Sequence, residues 1–306
     1  MASTQLKDKN NNNIYPVVED GGGATPSVGE LHVLGLGNSY MADTAGYLND
    51  ICQRLGVDNV NFQYTNQGSA SLSLWAGHTA QDDRQNFNLS TGINGGSLYS
   101  STARNLYSIF SENWDVVVLQ QQSINADDYR TFVPHLANLI ERIKEICPNK
   151  SVKIAFHMTW DTEYIDSNSG DTLSASYDDI VTTTKSMLAD YGQSIDFLIP
   201  TGTGIQNIRA TSLNNNVNNF SQNPGVKWHL QAGVGEYVAA CTFFEAFVKR
   251  ICGKNVTIFA DNATYNVSGI GAVSVTNENR DICHRCAAYA VIQPWSAMQS
   301  ALLEGV

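Results

Sequence analysis

The sequence predicts an α/β fold of three layers, with a parallel five-stranded sheet held between two layers of helices. Two observations carry that prediction. Short apolar, β-branched runs alternate along the chain with longer segments of helical periodicity, the pattern of strand–helix–strand units. One run, Trp114-Asp115-Val116-Val117-Val118-Leu119, is apolar on both faces, as a central parallel strand has to be. In such a sheet active sites lie beyond the carboxyl ends of the strands, so residues that directly follow strands are the ones that can meet.

The elements follow in order. Leu31–Leu36 reads as the first strand and stops at Gly37-Asn38-Ser39. A helix over 42–55 comes next, with Ala45, Leu48, Ile51, Cys52 and Leu55 on one face. Val60–Tyr64 is the second strand, and a long polar stretch from Gln67 to about Asn94 follows, carrying Trp75 and His78. The third strand is 114–119. Phe132, Leu136, Leu139, Ile140, Ile143 and Ile146 define a helix, and Val152–Phe156 is the fourth strand, running into His157-Met158-Thr159-Trp160-Asp161. Tyr177 to Tyr191 is helical, and Ile195–Ile199 is the fifth strand, stopped by Pro200. After an Asn-rich loop at 214–219, residues 235–251 form a helix with Tyr237, Val238, Cys241, Phe244 and Val248 on one face. Alternation around Gly269 and Gly271 suggests a small β-hairpin at about 255–275, and short helices at about 277–291 and 295–304 close the chain.

Composition bounds the partners. The chain has 306 residues, 42% hydrophobic, enough for one large core, read as a single domain over 31–306. Residues 1–30 are polar and Asn/Gly-rich, the composition of a flexible tail. Eighteen basic against 29 acidic side chains give a net charge of −11, which disfavours nucleic acid and anionic membranes. No apolar run is long enough to span a bilayer, so a soluble protein without membrane insertion is expected. No signal peptide precedes the tail, yet a tail of this kind commonly tethers an exported domain, and a periplasmic, cell-surface or extracellular place is the expectation. Cys52, Cys147 and Cys241 fall on apolar helical faces as small hydrophobes. Cys283-His284-Arg285-Cys286 lacks the second ligand pair of a zinc site, and no metal or organic cofactor is expected.

Ser39 is the candidate nucleophile. A hydroxyl on the turn from a buried strand into a helix sits beside the unpaired N–H groups of the helix terminus, which stabilise developing negative charge. Such a serine needs an imidazole to take its proton and two or three donors for the oxyanion. The residues able to share its rim are Gly68 after the second strand, Gln120, Gln121 and Gln122 after the third, and His157, Trp160 and Asp161 after the fourth. Asp43, in the first turn of the same helix, reads as structural, since the helix dipole favours it there. The Asp166–Asp171 segment lacks the bidentate glutamate of a calcium loop and is discounted.

Gly37-Asn38-Ser39 after the first strand resembles the Gly-Asp-Ser block of the SGNH (GDSL-type) hydrolases, in the form Gly-Asn-Ser-Phe/Tyr found in an uncharacterised group of that superfamily. Asn66-Gln67-Gly68 is similar to its second block, and Leu119-Gln120-Gln121-Gln122-Ser123 stands at its third. Trp228-His229-Leu230, followed by Gly233 and Gly235-Glu236-Tyr237, resembles the block that supplies the catalytic histidine. The resemblance spans about residues 31–300. It implies a flavodoxin-like fold and an ester hydrolase acting through a Ser39 acyl-enzyme, with His229 as general base and acid. It also implies an oxyanion site from the N–H of Ser39, the N–H of Gly68 and the amide of Gln121, or else of Gln120. His157 is the competing histidine.

The superfamily places an orienting aspartate three residues before the histidine, and here that position is Val226. Either a Ser–His dyad with a backbone carbonyl orienting the ring or a relocated carboxylate fits that gap, and among carboxylates Asp161 is the expected replacement, with Glu236 second. The implied substrate is a small-molecule or glycan ester, an O-acyl group such as acetyl on carbohydrate, with Trp75, Trp160 and Trp228 as sugar-stacking candidates. A non-catalytic glycan-binding protein on a decayed scaffold of the same kind is the alternative, and Val226 is its chief support. A lipid or thioester substrate is disfavoured by the polar composition.

Overall fold

Alternate side chains of the first strand enter two different cores, which fixes the layer order of the molecule. The computed structural model describes residues 30–92, 99–165, 169–170, 172–214, 220–222, 229–252, 256–269 and 272–304. All but the last residue of the 1–30 tail, and Val226 and Trp228, lie outside them. In β1 (Leu31–Gly37), Val33 packs with one cluster while Leu34 and Leu36 pack with the other. The central strand β5 (Val116–Gln120) divides likewise, Val116 and Val118 to one side, Val117 and Leu119 to the other. A period of two with both faces buried requires a helix layer on each side.

The sheet has seven strands rather than five, in the order Tyr99–Arg104 (β4), Phe87–Gly92 (β3), Val60–Asn66 (β2), β1, β5, Lys153–His157 (β6) and Phe197–Ile199 (β9). Five of them are parallel, as the sequence implies: β2 (Val60–Asn66), β1, β5, β6 (Lys153–His157) and β9 (Phe197–Ile199). The two additions, β3 (Phe87–Gly92) and β4 (Tyr99–Arg104), are antiparallel and extend the β2 edge. β3 lies in the polar stretch from Gln67 to about Asn94, and β4 in the residues after it, where the sequence predicts no element. Phe87 and Leu89 of β3 turn into the core, too short an alternation to stand out in the sequence. A separate hairpin, β7 (Thr162–Ile165) with β8 (Thr172–Ala175), leaves the sheet just after β6.

One helix layer holds α1 (Ser39–Arg54), α6 (Thr201–Arg209), α7 (Val234–Phe243) and α9 (Arg280–Ile292), whose apolar faces meet in the larger cluster. A π-helical turn (Phe244–Val248) carries α7 on into α8 (Lys249–Ile251). The other layer holds α2 (Leu72–Gly77), α3 (Leu106–Phe110) and α4 (His135–Ile146), with Met187 of α5 (Tyr177–Tyr191) joining them; α10 (Ser300–Glu304) closes the chain. Helix α6 is absent from the sequence reading because Thr-Gly-Thr-Gly has poor helix propensity. Its residues are nearly all buried, so tertiary packing rather than propensity holds it. The hairpin expected at 255–275 is reduced, among the described residues, to one antiparallel bridge between Tyr265 and Val275.

Pairing registers align the carboxyl ends of the parallel strands. Gly37 faces Asn66, Leu36 faces Leu119, Gln120 faces His157, and His157 faces Ile199. The residues that follow these positions share one rim, the rim on which α1 begins.

Candidate active site

Asn38 fixes the start of α1. Its backbone is extended, and its side-chain oxygen accepts the N–H of Tyr40 at 3.0 Å, which makes it the N-cap. Ser39 is therefore the first helical residue, half-buried, at the terminus where leading N–H groups lack intrahelical partners.

A buried relay holds Asn38 from beneath. Gln120 donates its amide to Asn38 Oδ1 at 2.6 Å, and Asn38 donates to the Ala70 carbonyl at 3.3 Å. The Gln120 oxygen lies 3.1 Å from His157 Nδ1, and His157 Nε2 lies 2.8 Å from the Thr201 hydroxyl. An amide oxygen only accepts, so His157 carries its proton on Nδ1 and accepts a hydrogen bond from the Thr201 hydroxyl at Nε2. The chain Thr201–His157–Gln120–Asn38 thus ties together the ends of β1, β5 and β6 and the start of α6. His157 is fully buried, and desolvation pushes its pKa down to about 3. It is a neutral structural histidine, not a base beside Ser39.

This has an acid-stability consequence. Above pH 6.5 the ring is neutral folded or unfolded. Between 6.5 and 3 the unfolded chain takes up a proton that the folded ring refuses, so stability falls as pH falls. The loss reaches on the order of 4 kcal/mol near pH 3. His284, lowered to about 4 by burial, adds in the same direction. The urea midpoint is expected to drop between pH 7 and 4, and to drop less in His157→Gln. Equal slopes in the two proteins would refute the assignment.

Several sequence candidates are engaged elsewhere. Gln121 donates its amide to the Thr131 carbonyl (3.0 Å) and hydroxyl (2.9 Å), while its oxygen accepts the N–H of Leu72 at 3.0 Å. It clips the β5 end to the loop before α4, and Gln120 serves the Asn38 relay, so both amides expected at the oxyanion are already used. Asp161 forms a buried ion pair with Arg209 of α6 and does not meet His229 as expected. Trp75 is fully buried against Phe87, and Trp160 is fully buried and stacked on Tyr40 at 4.1 Å, so neither offers a face to a sugar. Gly68 is exposed in the turn after β2, with Ser69 beside it in the left-handed region at φ 55°. A non-glycine residue held there is uncommon and marks a conformation fixed by its surroundings.

The carboxylate that meets His229 is Asp43. His229 Nδ1 lies 3.0 Å from Asp43 Oδ2 and 3.2 Å from Oδ1, and Oδ2 also accepts the N–H of Leu230 at 2.9 Å. Asp43 is four residues beyond Ser39 on α1, so both project from one face of the helix. The imidazole stands over the first turn of α1, edge-on to Tyr40 with ring centroids 5.6 Å apart. A carboxylate accepts only, which puts the imidazole proton on Nδ1 and leaves the Nε2 lone pair as the basic site. Because α1 starts at Ser39, Asp43 lies beyond its first turn, which holds no acidic side chain, so the dipole reading that made it structural does not apply. Its partner is 186 residues away in sequence, and the i, i+4 spacing from Ser39 was the available signal.

Helix α7 begins soon after the histidine, at Gly233, whose φ of 97° suits glycine. A Cβ there would lie 2.3 Å from the Val273 carbonyl oxygen. The N–H of Gly233 donates to Tyr47 of α1 at 2.9 Å, so the segment leaving His229 is anchored on the helix that carries Ser39. Among the described residues, no group of three or more His, Cys, Asp or Glu side chains could hold a metal ion. None of their helices is long and apolar enough to cross a membrane.

Comparison with known proteins supports the architecture. A crystal structure of a DUF4886 family protein from Bacteroides uniformis ATCC 8492 superposes with a TM-score of 0.68 at 22% identity, covering 88% of this chain and 98% of that one. A protein from Slackia heliotrinireducens, described as "a putative SGNH hydrolase", is more distant: TM-score 0.41, 21% identity, 69% of this chain and 95% of that one. No curated protein matches the sequence. The model of the domain of unknown function DUF4886 matches residues 32–267, a span that takes in Ser39, Asp43 and His229, and the chain belongs to that family.

Proposed function

We propose that the protein is an ester hydrolase of SGNH type in which Ser39 is the nucleophile, His229 the general base and acid, and Asp43 the orienting carboxylate. The observation that carries this reading is the Asp43–His229 pair, standing over the helix turn that Ser39 opens. Its proton on Nδ1 leaves Nε2 to accept the Ser39 hydroxyl proton as Oγ attacks an ester carbonyl. The C–O bond to the alcohol then breaks, with the His229 proton passing to the leaving oxygen and the acyl group staying on Ser39. Water, deprotonated by the same ring, releases the acid. The N–H groups of Ser39 and Gly68 are the oxyanion donors in this scheme, without Gln120 or Gln121.

An O-acetyl group on carbohydrate is the substrate class that the sequence resemblance suggests. The alternative of a decayed, glycan-binding scaffold loses its chief support. Val226 stands where an acid is usual, but Asp43 offers the orienting contact from the other side. The test is acetate release from p-nitrophenyl acetate and from an acetylated glycan. Ser39→Ala is expected to lower turnover by about 10³-fold or more. Equal release by wild type and Ser39→Ala ends the reading.

A further inference from the structure

One titratable group at this site has no part in the scheme above. Glu236 lies in the first turn of α7, where a helix dipole by itself would favour its charged form. Its carboxyl instead points onto α1. A Cβ built on Gly46 would lie 3.1 Å from Glu236 Oε2, so the bare glycine leaves the space that the carboxyl occupies. Gly46 is three residues beyond Asp43, on the adjoining turn of the same helix face.

We infer that Glu236 is a positioning residue whose carboxyl, wedged between α7 and α1 beside Asp43, sets how firmly Asp43 holds His229. The inference rests on the proposed catalytic pair and concerns its regulation. Desolvation, followed by the Asp43 charge, raises the Glu236 pKa to about 8. At neutral pH Glu236 therefore keeps its proton and sets a neutral carboxyl beside Asp43. When Glu236 loses its proton, its charge repels that of Asp43, three residues before Gly46 on α1. Asp43 is then pushed from the contacts it makes to His229 Nδ1 and the Leu230 N–H.

The other charged groups near this contact are engaged. From α1, Tyr47 accepts the Gly233 N–H and Asp50 is bound by Arg54 and Tyr265. From the far side of α7, Asp261 and His284 meet Tyr237. Glu245, in the π-helical turn, holds Lys249 and the Ile258 N–H. On α6, Arg209 is paired with Asp161. Asp43 is thus the neighbour whose charge opposes Glu236 ionisation.

The test is an NMR titration of the whole chain without substrate, reading the Glu236 side-chain carboxyl carbon, the His229 ring nitrogens and the Leu230 amide from pH 6 to 9.5. In wild type all three are expected to move together near pH 8. In Glu236→Gln the His229 and Leu230 signals lose that step, and in Asp43→Asn the Glu236 step moves to lower pH. Gly46→Ala, which keeps every charge but crowds the carboxyl, shifts the step and reports on the wedge if another variant unfolds. A Glu236 carboxyl that titrates in the ordinary carboxylate range, or superimposable wild-type and Glu236→Gln curves, overturns the inference. Neither result bears on hydrolysis, because no ester is present. Equal acetate release by wild type and Ser39→Ala would end the hydrolase reading and leave this titration standing.

Discussion

Asp43→Asn is expected to lower ester turnover by about 10⁴-fold while the protein stays folded. The carboxylate accepts two N–H groups, from His229 and from Leu230. An asparagine in its place has one oxygen and one amide nitrogen. If the oxygen keeps the Leu230 N–H, the amide faces Nδ1 and donates to it, so the ring carries its proton on Nε2. That tautomer has no lone pair at Nε2 for the Ser39 proton. The defect is in chemistry rather than folding, because the substitution is close to isosteric and keeps a partner for the Leu230 amide. Expected readouts are a thermal midpoint within a few degrees of wild type and a fall in kcat with KM little changed. Retention of kcat within tenfold of wild type would remove Asp43 from the mechanism.

Arg209→Met is expected to act in the opposite way, destabilising the fold by about 3–5 kcal/mol while sparing the chemistry of the molecules that remain folded. The Asp161 and Arg209 side chains are 5% and 7% exposed. Removing the guanidinium leaves a buried carboxylate without its cation, and that is the costly half of breaking an ion pair. Asp161 sits between Trp160, stacked on Tyr40, and Thr162, whose hydroxyl accepts the Tyr40 hydroxyl proton at 2.9 Å. The pair therefore braces the wall behind the first turn of α1. A double variant, Asp161→Leu with Arg209→Met, is expected to recover much of the loss, since an apolar replacement needs no counter-charge. Urea unfolding measures both. A shift under 1 kcal/mol in Arg209→Met would contradict the burial argument.

These two aspartates show how far the sequence reached into the site. Asp161 follows β6 and satisfies the rim rule, which made it the expected partner of His229. The rule says which residues reach the rim, not which way each side chain turns, and Arg209 comes from a helix too weak in propensity to be foreseen. Gln121 illustrates the same limit. It lies at the end of β5 as expected, but Thr131 and the Leu72 N–H surround it, and their approach follows from how α2 and the loop before α4 pack.

Consecutive residues were enough to read the alternation of elements, the five parallel strands and the Asn-Ser turn at the head of α1. These depend on periodicity and capping, which are local properties written in consecutive residues. Three features emerge in the folded molecule alone: Asp43 rather than Asp161 meets His229, His157 is buried in a relay, and β3 and β4 widen the sheet to seven strands. Each of these is a contact between segments far apart in the chain. Their geometry is set by packing and by desolvation, which no single stretch of sequence contains.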